Sequence, residues 1–402
     1  MKAAFVTPGA FPVPSSMGGS VERVVEKVVP KLTPYVQTVI YGRTGRGLAK
    51  RSDVNGAPIE RFPARSKRHY IASVCRAMAK DPPDLIQVEN RPRWVPLLKR
   101  RFPGSKVWLN LHSMTYLSAS RIAHPRVRAC LQAADRIVVN SDFLKACLIR
   151  QWPQAEPKIR VNHLGVDADR FPGRASAKGQ AMRAAGRAAR GWERRKIVLF
   201  VGRLIPQKGV HHLLAAVPSI VAEHPDALIV VVGSALYGSH RLTGYVRSLH
   251  RQARRWGKHV HFEPYVSHDD VPRWFASADV AVVPSVGKEA FGLVNVEAMA
   301  SGLPVVATRA GGMKEIVVDG VTGYLVAPER GAIVRELAER IGQLLGDEQA
   351  RRDMGRMGME RARRSFLWEH TALRWLELTT ERGAIPGGSA AYPRVGPIDG
   401  RI

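Results

Sequence analysis

The segment Val283-Pro-Ser-Val-Gly-Lys-Glu-Ala-Phe-Gly-Leu-Val-Asn-Val-Glu297 gives the clearest indication of the architecture of the chain. It follows an apolar run beginning at Ala278 that has the composition of a buried parallel strand. A glycine-containing loop comes next, and a helix is predicted from about Phe291 to Ser301, where Gly302 ends it. Strand–loop–helix units place their loops at the carboxyl ends of parallel strands. The pattern therefore predicts an open α/β sheet with a ligand site at this loop.

Two acidic residues flank the predicted start of the helix. Glu289 lies in the loop, and Glu297 lies about two turns into the helix, so both carboxylates can face one ligand. Between them, the amides of Phe291, Gly292 and Leu293 lie at a helix N-terminus, which suits a phosphate or another polar ligand. Gly292 allows the backbone to approach that ligand closely. An ordinary surface helix with solvated carboxylates is the alternative.

A pair of cations follows an earlier predicted strand. The strand covers residues 196–201, and Gly202, Arg203 and Lys208 come directly after it. Arginine offers a planar fork and lysine a point charge, so the pair suits a diphosphate. Two surface cations near a turn are the alternative. The next strand ends at Gly233, which we expect to let a flat base or a ribose approach the backbone.

The first part of the chain has the same alternation. A strand over residues 3–6 is followed by Gly18 and Gly19 and by a helix over residues 21–32, with Ser20 as its predicted N-cap. We expect Pro30 to end or kink that helix early. A glycine turn between a strand and a helix N-terminus is a phosphate-binding arrangement in principle.

Four further strands are predicted over residues 38–41, 84–88, 106–111 and 136–141, with helical patterns between most of them. This alternation is typical of a doubly wound domain. His112 comes directly after one of these strands, at its carboxyl end. A local loop hydrogen bond is the commoner role for such a histidine, and a place beside a ligand is the other.

The predicted organisation has five parts. The basic stretch 173–196 holds eight Lys or Arg residues and one acidic residue, Glu193, and is expected to be solvated, with room for a short helix. The parts are an N-terminal Rossmann-like acceptor domain (1–172), the basic inter-domain stretch (173–196), a C-terminal Rossmann-like donor domain (197–365), a helix that crosses back to the first domain (366–381), and a disordered tail rich in proline and glycine (382–402).

Three motifs carry a family resemblance. The spacing Glu289-Ala-Phe-Gly-x4-Glu297 resembles the E-x7-E signature of family 4 glycosyltransferases. The segments Gly202-Arg-Leu-Ile-Pro-Gln-Lys-Gly209 and Ala298-Met-Ala-Ser-Gly-Leu-Pro-Val-Val-Ala307 also match that family. The segment 236–248 looks like a subset that includes spore-coat-associated transferases. The resemblance implies the GT-B fold, in which two Rossmann-like doubly wound domains face each other across a cleft.

The resemblance also implies the chemistry. It implies a retaining transferase that takes a sugar from a nucleotide diphosphate sugar, with a UDP-sugar favoured, and needs no metal or other cofactor. Accordingly, Asp167-Ala168-Asp169 is given no metal despite its D-x-D spelling. The implied catalytic residues are His112, Glu289, Arg203 and Lys208. The implied donor-binding residues are Gly18, Gly19, Gly202, Arg203, Lys208, Gly233, Val266, Glu289, Phe291, Gly292, Leu293 and Glu297.

The chain departs from the family pattern at two places. One added residue separates Gly19 from Glu22, so no role is transferred to Glu22. Ser113 and Met114 follow His112 where many members have an aspartate next, so the partner of His112 is not predicted. Two other functions stay open. One is a non-catalytic structural or sugar-nucleotide-binding protein of the same fold. The other is a nicotinamide-dependent or epimerase-type enzyme, but no Gly-x-Gly-x-x-Gly turn follows a strand.

The charge of the chain is strongly positive. The formal net charge is +28, and residues 1–150 hold 26 Lys and Arg against nine Asp and Glu. Such a field favours an anionic acceptor or an anionic membrane or coat surface. An arginine-rich genome would give the same composition without any function. Nucleic acid is not expected, because no recognised motif is present and the basic residues are not interleaved with aromatics.

Composition also bears on location. No apolar run approaches the roughly 18–20 residues of a membrane span, and the uncharged segment 3–21 is interrupted by Pro and Gly, so a cytoplasmic protein is expected. Residues 91–106 join apolar side chains to a basic cluster. A helix with one packed face is favoured there over a segment that touches an anionic membrane. Cys75, Cys130 and Cys147 are expected to be reduced packing residues.

Overall fold

The computed structural model describes residues 1–15, 18–238, 241–287 and 289–381. These residues form two compact units, one containing Met1–Leu164 and the helix Trp368–Thr380, the other containing Gly165–Leu367. The first unit therefore ends before the expected boundary at residue 172. The tail 382–402, which was expected to be disordered, lies outside the described residues, and so does Lys288. Among the described residues, no helix combines the length and the apolar character that crossing a membrane requires.

The first unit is an α/β layer structure around one sheet. Its elements up to Leu164 are β1 (Lys2–Val6), α1 (Ser20–Leu32), β2 (Gln37–Arg43), β3 (Arg51–Val54), β4 (Ala57–Phe62), α2 (Lys67–Met78), β5 (Leu85–Glu89), α3 (Val95–Arg101), β6 (Lys106–Leu111), α4 (His124–Ala133), β7 (Arg136–Val139), α5 (Asp142–Gln151) and β8 (Ile159–Val161). The strands lie in the order β3-β4-β2-β1-β5-β6-β7-β8, and every pair is parallel except β3 with β4. The strand order reverses between β1 and β5, as a doubly wound sheet requires.

Helix α1 differs from its prediction at both ends. Ser20 is its first residue rather than its N-cap. Gly19 precedes it with a left-handed φ of 95°, and no side chain caps the helix. The helix also continues two residues beyond Pro30. A proline inside a helix costs about 3 kcal/mol, and burial of neighbours such as Val29 and Leu32, both fully buried, offsets that cost.

A hairpin, β3–β4, extends one edge of the first sheet and was not predicted. Its two-residue turn is Asn55-Gly56, and both residues have positive φ, 50° and 87°. Asn-Gly is the strongest short-range signal for such a turn. The flanking strands are short and partly exposed, so they lack the apolar run by which the other strands were predicted.

The basic segment 91–106 forms a packed helix rather than an apolar surface. Trp94, Val95 and Leu98 are buried around helix α3, whereas Leu97 is 37% exposed. Three of the four apolar side chains are therefore unavailable to a membrane, and the favoured interpretation of this segment agrees with the structure.

The second unit contains a six-stranded sheet in which every pair is parallel. The elements of this unit are α6 (Ala177–Ala188), β9 (Lys196–Val201), α7 (Val210–Glu223), β10 (Ala227–Val232), α8 (Gly244–Ala253), β11 (Val260–Glu263), α9 (Val271–Ser277), β12 (Val280–Val283), α10 (Leu293–Ala300), β13 (Val305–Thr308), α11 (Met313–Ile316), β14 (Gly323–Val326), α12 (Ile333–Gly346) and α13 (Glu348–Ser365). The strands lie in the order β11-β10-β9-β12-β13-β14. All six residues of β10 are buried, as expected for a parallel strand covered on both faces.

Helix α6 lies in the basic stretch that was expected to be a solvated inter-domain segment. It is instead fixed to the second unit, because Arg183 and Arg187 both bind the carboxylate of Asp279 beside β12. Arg174 adds a third ion pair at 3.1 Å. Burial raises the pKa of Asp279, but the three guanidinium groups outweigh burial and hold that pKa below its usual value. A sequence count of charges could not show that one distant carboxylate gathers three of them.

The last helix, α14 (Trp368–Thr380), belongs to the first unit. The ring of Trp375 packs against Phe5 and Trp108, with centroid distances of 5.4 and 5.7 Å. The indole Nε1 donates a hydrogen bond of 2.7 Å to Gln87 on β5. The helix thus covers the centre of the first sheet with an aromatic side chain that also has a polar contact.

Candidate functional site

The predicted site residues of the second unit follow four neighbouring strands at one edge of its sheet. Gly202 follows β9, Gly233 follows β10, Val266 comes after β11, and Glu289 comes after β12. All four strands are parallel, so these positions share the carboxyl edge. The strand order reverses between β9 and β12. In open α/β sheets this switch point is where ligands bind.

Lys208 and Glu289 meet at this switch point. Lys208 ends a short 3₁₀ helix, Pro206–Lys208, and its Nζ donates to Oε2 of Glu289 in a close ion pair. The hydroxyl of Ser285 donates to the same carboxylate oxygen at 3.2 Å. The two side chains are only partly exposed, 25% for Lys208 and 18% for Glu289. Two residues separated by 81 positions are therefore brought into one polar cluster.

A glycine makes this approach possible. Gly209 has a left-handed φ of 70°, and a Cβ atom built on it would lie 1.8 Å from the carbonyl oxygen of Pro284. Only glycine allows the β9–α7 loop to lie against the β12–α10 loop at this point. Lys208 therefore reaches Glu289 because the residue after it has no side chain.

The electrostatics of Glu289 reflect its position. Burial raises the pKa of its carboxyl group. The charge and hydrogen bond of Lys208, the Ser285 hydroxyl and the charge of Arg203 outweigh burial, so the pKa lies below its usual value. Glu289 is accordingly an ionised acceptor at neutral pH, with Arg203 close enough to act on it.

Arg203 is exposed and lies beside an aromatic ring. Its guanidinium carbon is 5.5 Å from the ring centroid of Tyr237, which follows β10. A cation over an aromatic face is attracted by about 0.5–1 kcal/mol at an exposed site. Arg203 was predicted from the sequence as a site residue, whereas its contact with Tyr237 was not.

Helix α10 begins two residues later than predicted, at Leu293, and Gly292 precedes it with a φ of 93°. A Cβ atom on Gly292 would lie 2.6 Å from the side-chain nitrogen of Asn295, which donates back to the Gly292 carbonyl. Phe291 is buried and its ring packs against Phe366. This loop is therefore built tightly around its glycine, which fixes the helix N-terminus beside Glu289.

Glu297 has partners that the sequence did not reveal. Its Oε1 lies 3.1 Å from Nε2 of His268, and the other ring nitrogen of His268 lies 3.3 Å from Arg170. The carboxylate is largely buried, with 11% of the side chain exposed. No sequence pattern links positions 170, 268 and 297, so this part of the site was missed.

Gly233 has a different reason for being glycine from the one predicted. Its φ is 139°, and a Cβ atom there would lie 2.0 Å from the carbonyl oxygen of Gly202 on the neighbouring loop. The requirement comes from backbone packing at the carboxyl edge. Approach of a base or ribose is therefore not needed to explain the residue.

Gly18, Gly19 and His112 belong to the first unit. Gly19 is tightly enclosed, because a Cβ atom there would lie 2.6 Å from the carboxylate of Glu22 and 2.8 Å from the ring of Phe11. Glu22 is buried and accepts a hydrogen bond from the Phe11 amide at 3.1 Å. Burial raises the pKa of Glu22, and backbone hydrogen bonds oppose the rise. Glu22 thus organises the β1–α1 loop.

His112 lies at the carboxyl end of β6 with a carboxylate partner. Its Nε2 is 2.8 Å from Oε2 of Glu89, the last residue of β5, and only 8% of its side chain is exposed. The backbone amide of His112 donates to Asn90 at 2.9 Å. The sequence did carry a signal for Glu89, because polar residues alternate with apolar ones at the ends of β5 and β6, where strands of a parallel sheet are normally continuous apolar runs.

Comparison with protein families matches both halves of the chain. Residues 18–170 match the family described as Glycosyltransferase Family 4, and residues 183–361 match Glycosyl transferases group 1. The spore coat protein SA of Bacillus subtilis is 32% identical over 372 residues, which cover 92% of this chain and 97% of that protein. The putative glycosyltransferase YtcC of the same organism is 31% identical over 374 residues, covering 93% and 90%.

Solved structures agree in fold. HepE of Anabaena, solved with UDP-glucose, superposes with a TM-score of 0.74 at 24% identity, covering 94% of this chain and 98% of that one. A glycosyltransferase of Rickettsia africae gives a TM-score of 0.76 at 20% identity, with coverage of 94% and 98%. At these identities the likeness shows the fold alone. The predicted GT-B fold and the predicted resemblance to a spore-coat-associated subset are confirmed, and the chain belongs to glycosyltransferase family 4.

Proposed function

We propose that this glycosyltransferase transfers a sugar, with retention of configuration, from a nucleotide diphosphate sugar to an anionic acceptor and needs no metal. The observation that carries the proposal is the convergence of Lys208 and Glu289, with Arg203 nearby, at the switch point of the second sheet. Arg203 and Lys208 both suit a diphosphate. They lie beside the carboxylate of Glu289 because the loops that follow β9 and β12 meet at the carboxyl edge of the sheet.

The leaving diphosphate gains charge as the sugar bond breaks. Arg203 and Lys208 would stabilise that charge, which is the role a metal has in other transferases. A bound diphosphate would compete with Glu289 for Lys208, and the freed carboxylate would then accept hydrogen bonds from hydroxyl groups of the sugar. The helix N-terminus at Phe291, Gly292 and Leu293 would add backbone donors.

Two further residues complete the proposal. Glu297 would accept hydrogen bonds from the ribose hydroxyls, with His268 and Arg170 holding its carboxylate in place. His112 of the first unit would position the donor sugar, a role that rests on the family resemblance. No covalent nucleophile is assigned. The anomeric configuration of the first product formed, measured by NMR, tests whether transfer occurs with retention.

The donor is proposed to be a UDP-sugar. The solved structure of HepE contains UDP-glucose, which makes UDP the first nucleotide to test. Another relative, from Mycolicibacterium smegmatis, is named as a GDP-mannose-dependent mannosyltransferase and is 33% identical over 236 residues. A thermal-shift screen of UDP, GDP, ADP and their sugars would identify the base, because a ligand that binds only the folded protein raises its melting temperature.

Turnover of the sugar nucleotide then tests the function. We expect Arg203→Ala and Lys208→Ala each to lower transfer at least about tenfold, since a charged hydrogen bond contributes ~1.5–3 kcal/mol. Lys258→Ala is the matched control, because Lys258 is exposed and precedes β11 at the opposite edge of the sheet. Equal rates in all four proteins would refute the role. Binding without turnover by the unmodified protein would instead favour a non-catalytic sugar-nucleotide-binding protein.

Metal independence has its own test. The proposal predicts that transfer persists in excess EDTA, because Arg203 and Lys208 neutralise the diphosphate. Loss of activity in EDTA, restored by adding a divalent cation, would contradict it.

The acceptor is proposed to be anionic because of the excess of positive charge in residues 1–150. Pelleting with anionic vesicles at low and at high salt tests a membrane-bound acceptor. We expect the protein to bind the vesicles at low salt and to lose this binding at high salt. If it does not bind them at low salt, a membrane-bound acceptor is excluded. The proposal includes a cytoplasmic location, which cell fractionation tests.

A further inference from the structure

Four polar side chains form a stripe on one face of the first sheet. Gln87 and Glu89 lie two residues apart on β5, and Asn110 and His112 lie two residues apart at the end of β6, so each pair shares a face. Glu89 lies opposite Asn110 in the strand register. Glu89 is completely buried, so its carboxyl group depends on hydrogen bonds within the protein.

The direction of the hydrogen bonds in this stripe is fixed from one end. The Trp375 indole nitrogen can only donate, and it lies 2.7 Å from Oε1 of Gln87. The amide nitrogen of Gln87 therefore faces the other way, where it donates to Oε1 of Glu89 at 2.6 Å. The orientation of the Gln87 amide follows from its tryptophan partner.

Glu89 accepts hydrogen bonds at both oxygens. Asn110 donates to Oε2 at 3.0 Å, in addition to the Gln87 contact at Oε1. Glu89 thus accepts from an amide nitrogen at each of its oxygens. If it has the same role toward its remaining neighbour, Nε2 of His112 at 2.8 Å, that ring nitrogen is the donor.

The backbone of His112 is held as firmly as its ring. Its amide donates to Oδ1 of Asn90 at 2.9 Å, and its carbonyl accepts from Nδ2 of Asn140 at 3.4 Å. Among the described residues, none forms a hydrogen bond with Nδ1 of His112. With a proton on Nε2, a neutral imidazole has a lone pair at Nδ1, which is a hydrogen-bond acceptor.

We propose that Glu89 is a positioning residue that fixes His112 as the Nε2–H tautomer, so that Nδ1 accepts a hydrogen bond from a substrate hydroxyl group. The hydroxyl is assigned to the donor sugar, and that assignment alone rests on the proposed function. Glu89 touches no substrate in this arrangement and acts through the imidazole ring.

The tautomer can be read directly by nitrogen NMR of the imidazole ring at about pH 8.5, where an ordinary histidine is neutral. His112→Gln identifies the signals of His112 by their loss. In the unmodified protein we expect the unprotonated nitrogen of His112 to be Nδ1. If it is Nε2, the proposal is overturned whatever any variant shows.

Glu89→Gln reverses the hydrogen-bond direction while keeping the shape. Gln87 would hold the new oxygen at the position of Oε1, which the Asn110 amide nitrogen also reaches, at 3.3 Å. The new amide would then lie at the position of Oε2 and donate to Nε2 of His112, which moves the ring proton to Nδ1. Glu89→Asp keeps a carboxylate acceptor, so His112 should keep its original tautomer. This variant can be measured even if Glu89→Gln fails to fold. Glu60→Gln, on β4 and paired with Arg51, is the control that removes a carboxylate elsewhere in the same unit. An unchanged tautomer in folded Glu89→Gln would overturn the proposal.

Transfer kinetics add a separate result. Glu89→Gln should lower the rate by about fivefold or more, the effect of losing one hydrogen bond, and Glu89→Asp should recover part of it. Removing the recognised sugar hydroxyl from the donor should slow the unmodified protein but not His112→Ala. If the protein transfers no sugar at all, the proposed function fails, while the NMR result still decides the tautomer.

Discussion

The ion pair between Lys208 and Glu289 makes a prediction about stability that does not depend on any substrate. Lys208→Met keeps much of the side-chain volume and removes the charge that compensates the burial of Glu289. A charged hydrogen bond contributes about 1.5–3 kcal/mol. The second unit has roughly the size at which 1 kcal/mol shifts Tm by about 2–4 °C. At pH 7 we therefore expect Tm to fall by about 3–12 °C.

The loss should depend on pH in a definite direction. In the unmodified protein the pKa of Glu289 lies below its usual value of 4.5, so the pair stabilises the fold above that value and stops doing so as pH falls through the lower one. In Lys208→Met the lysine no longer offsets the effect of burial, so the pKa of Glu289 rises. As the pH falls, the variant's carboxylate is therefore protonated before that of the unmodified protein, and the variant loses its unpaired buried charge. The difference in Tm should accordingly narrow as the pH falls from 7 through 4.5.

Differential scanning calorimetry across this pH range measures the effect. The double variant Lys208→Met/Glu289→Gln should recover most of the loss at pH 7, because removing both charges leaves no buried carboxylate without a partner. Lys258→Met, at the exposed position before β11, controls for loss of positive charge alone. A double variant as unstable as Lys208→Met, or a difference in Tm that stays constant with pH, would show that Lys208 does not stabilise the buried carboxylate of Glu289.

Two further variants test the packing that supports the site. Gly209→Ala should destabilise the second unit by about 1–3 kcal/mol and lower Tm, because the new Cβ atom would lie 1.8 Å from the carbonyl oxygen of Pro284. The control is Gly191→Ala, which has a similar positive φ but open space around it and so isolates the cost of the backbone conformation. Equal losses of stability in the two variants would contradict a steric origin. Asp279→Ala should lower the free energy of unfolding by about 3–5 kcal/mol and speed hydrogen exchange in helix α6, because Arg187 and two other arginines lose their shared carboxylate. Unchanged exchange in α6 would show that the ion pairs do not hold this helix.

The parts of the fold that could be predicted are those encoded locally. The strand, loop and helix around Glu289 follow from an apolar run, a glycine and a helical pattern within one short stretch. The hairpin turn at Asn55-Gly56 was also encoded locally, but its polar strands gave no apolar run to draw attention to it.

The parts that could not be predicted depend on residues that are distant in sequence. Asp279 gathers arginines from a stretch about 90–100 positions earlier, so a charge count suggested solvation where the structure has buried ion pairs. The partner of Glu297, His268, lies on a different loop, and nothing in either local sequence indicates the other. Glu89 and His112 are 23 positions apart, and only the register of β5 and β6 brings them together.

The proposed transfer requires Arg203 and Lys208 to bind a nucleotide diphosphate. Isothermal titration calorimetry of UDP and of uridine measures this binding, at physiological salt to suppress nonspecific attraction to this basic chain. The unmodified protein should bind UDP at least about tenfold more tightly than uridine, and Arg203→Ala with Lys208→Ala should remove most of that difference. If both ligands bind the unmodified protein equally, or if the preference for UDP survives in the double variant, the two cations do not hold the diphosphate.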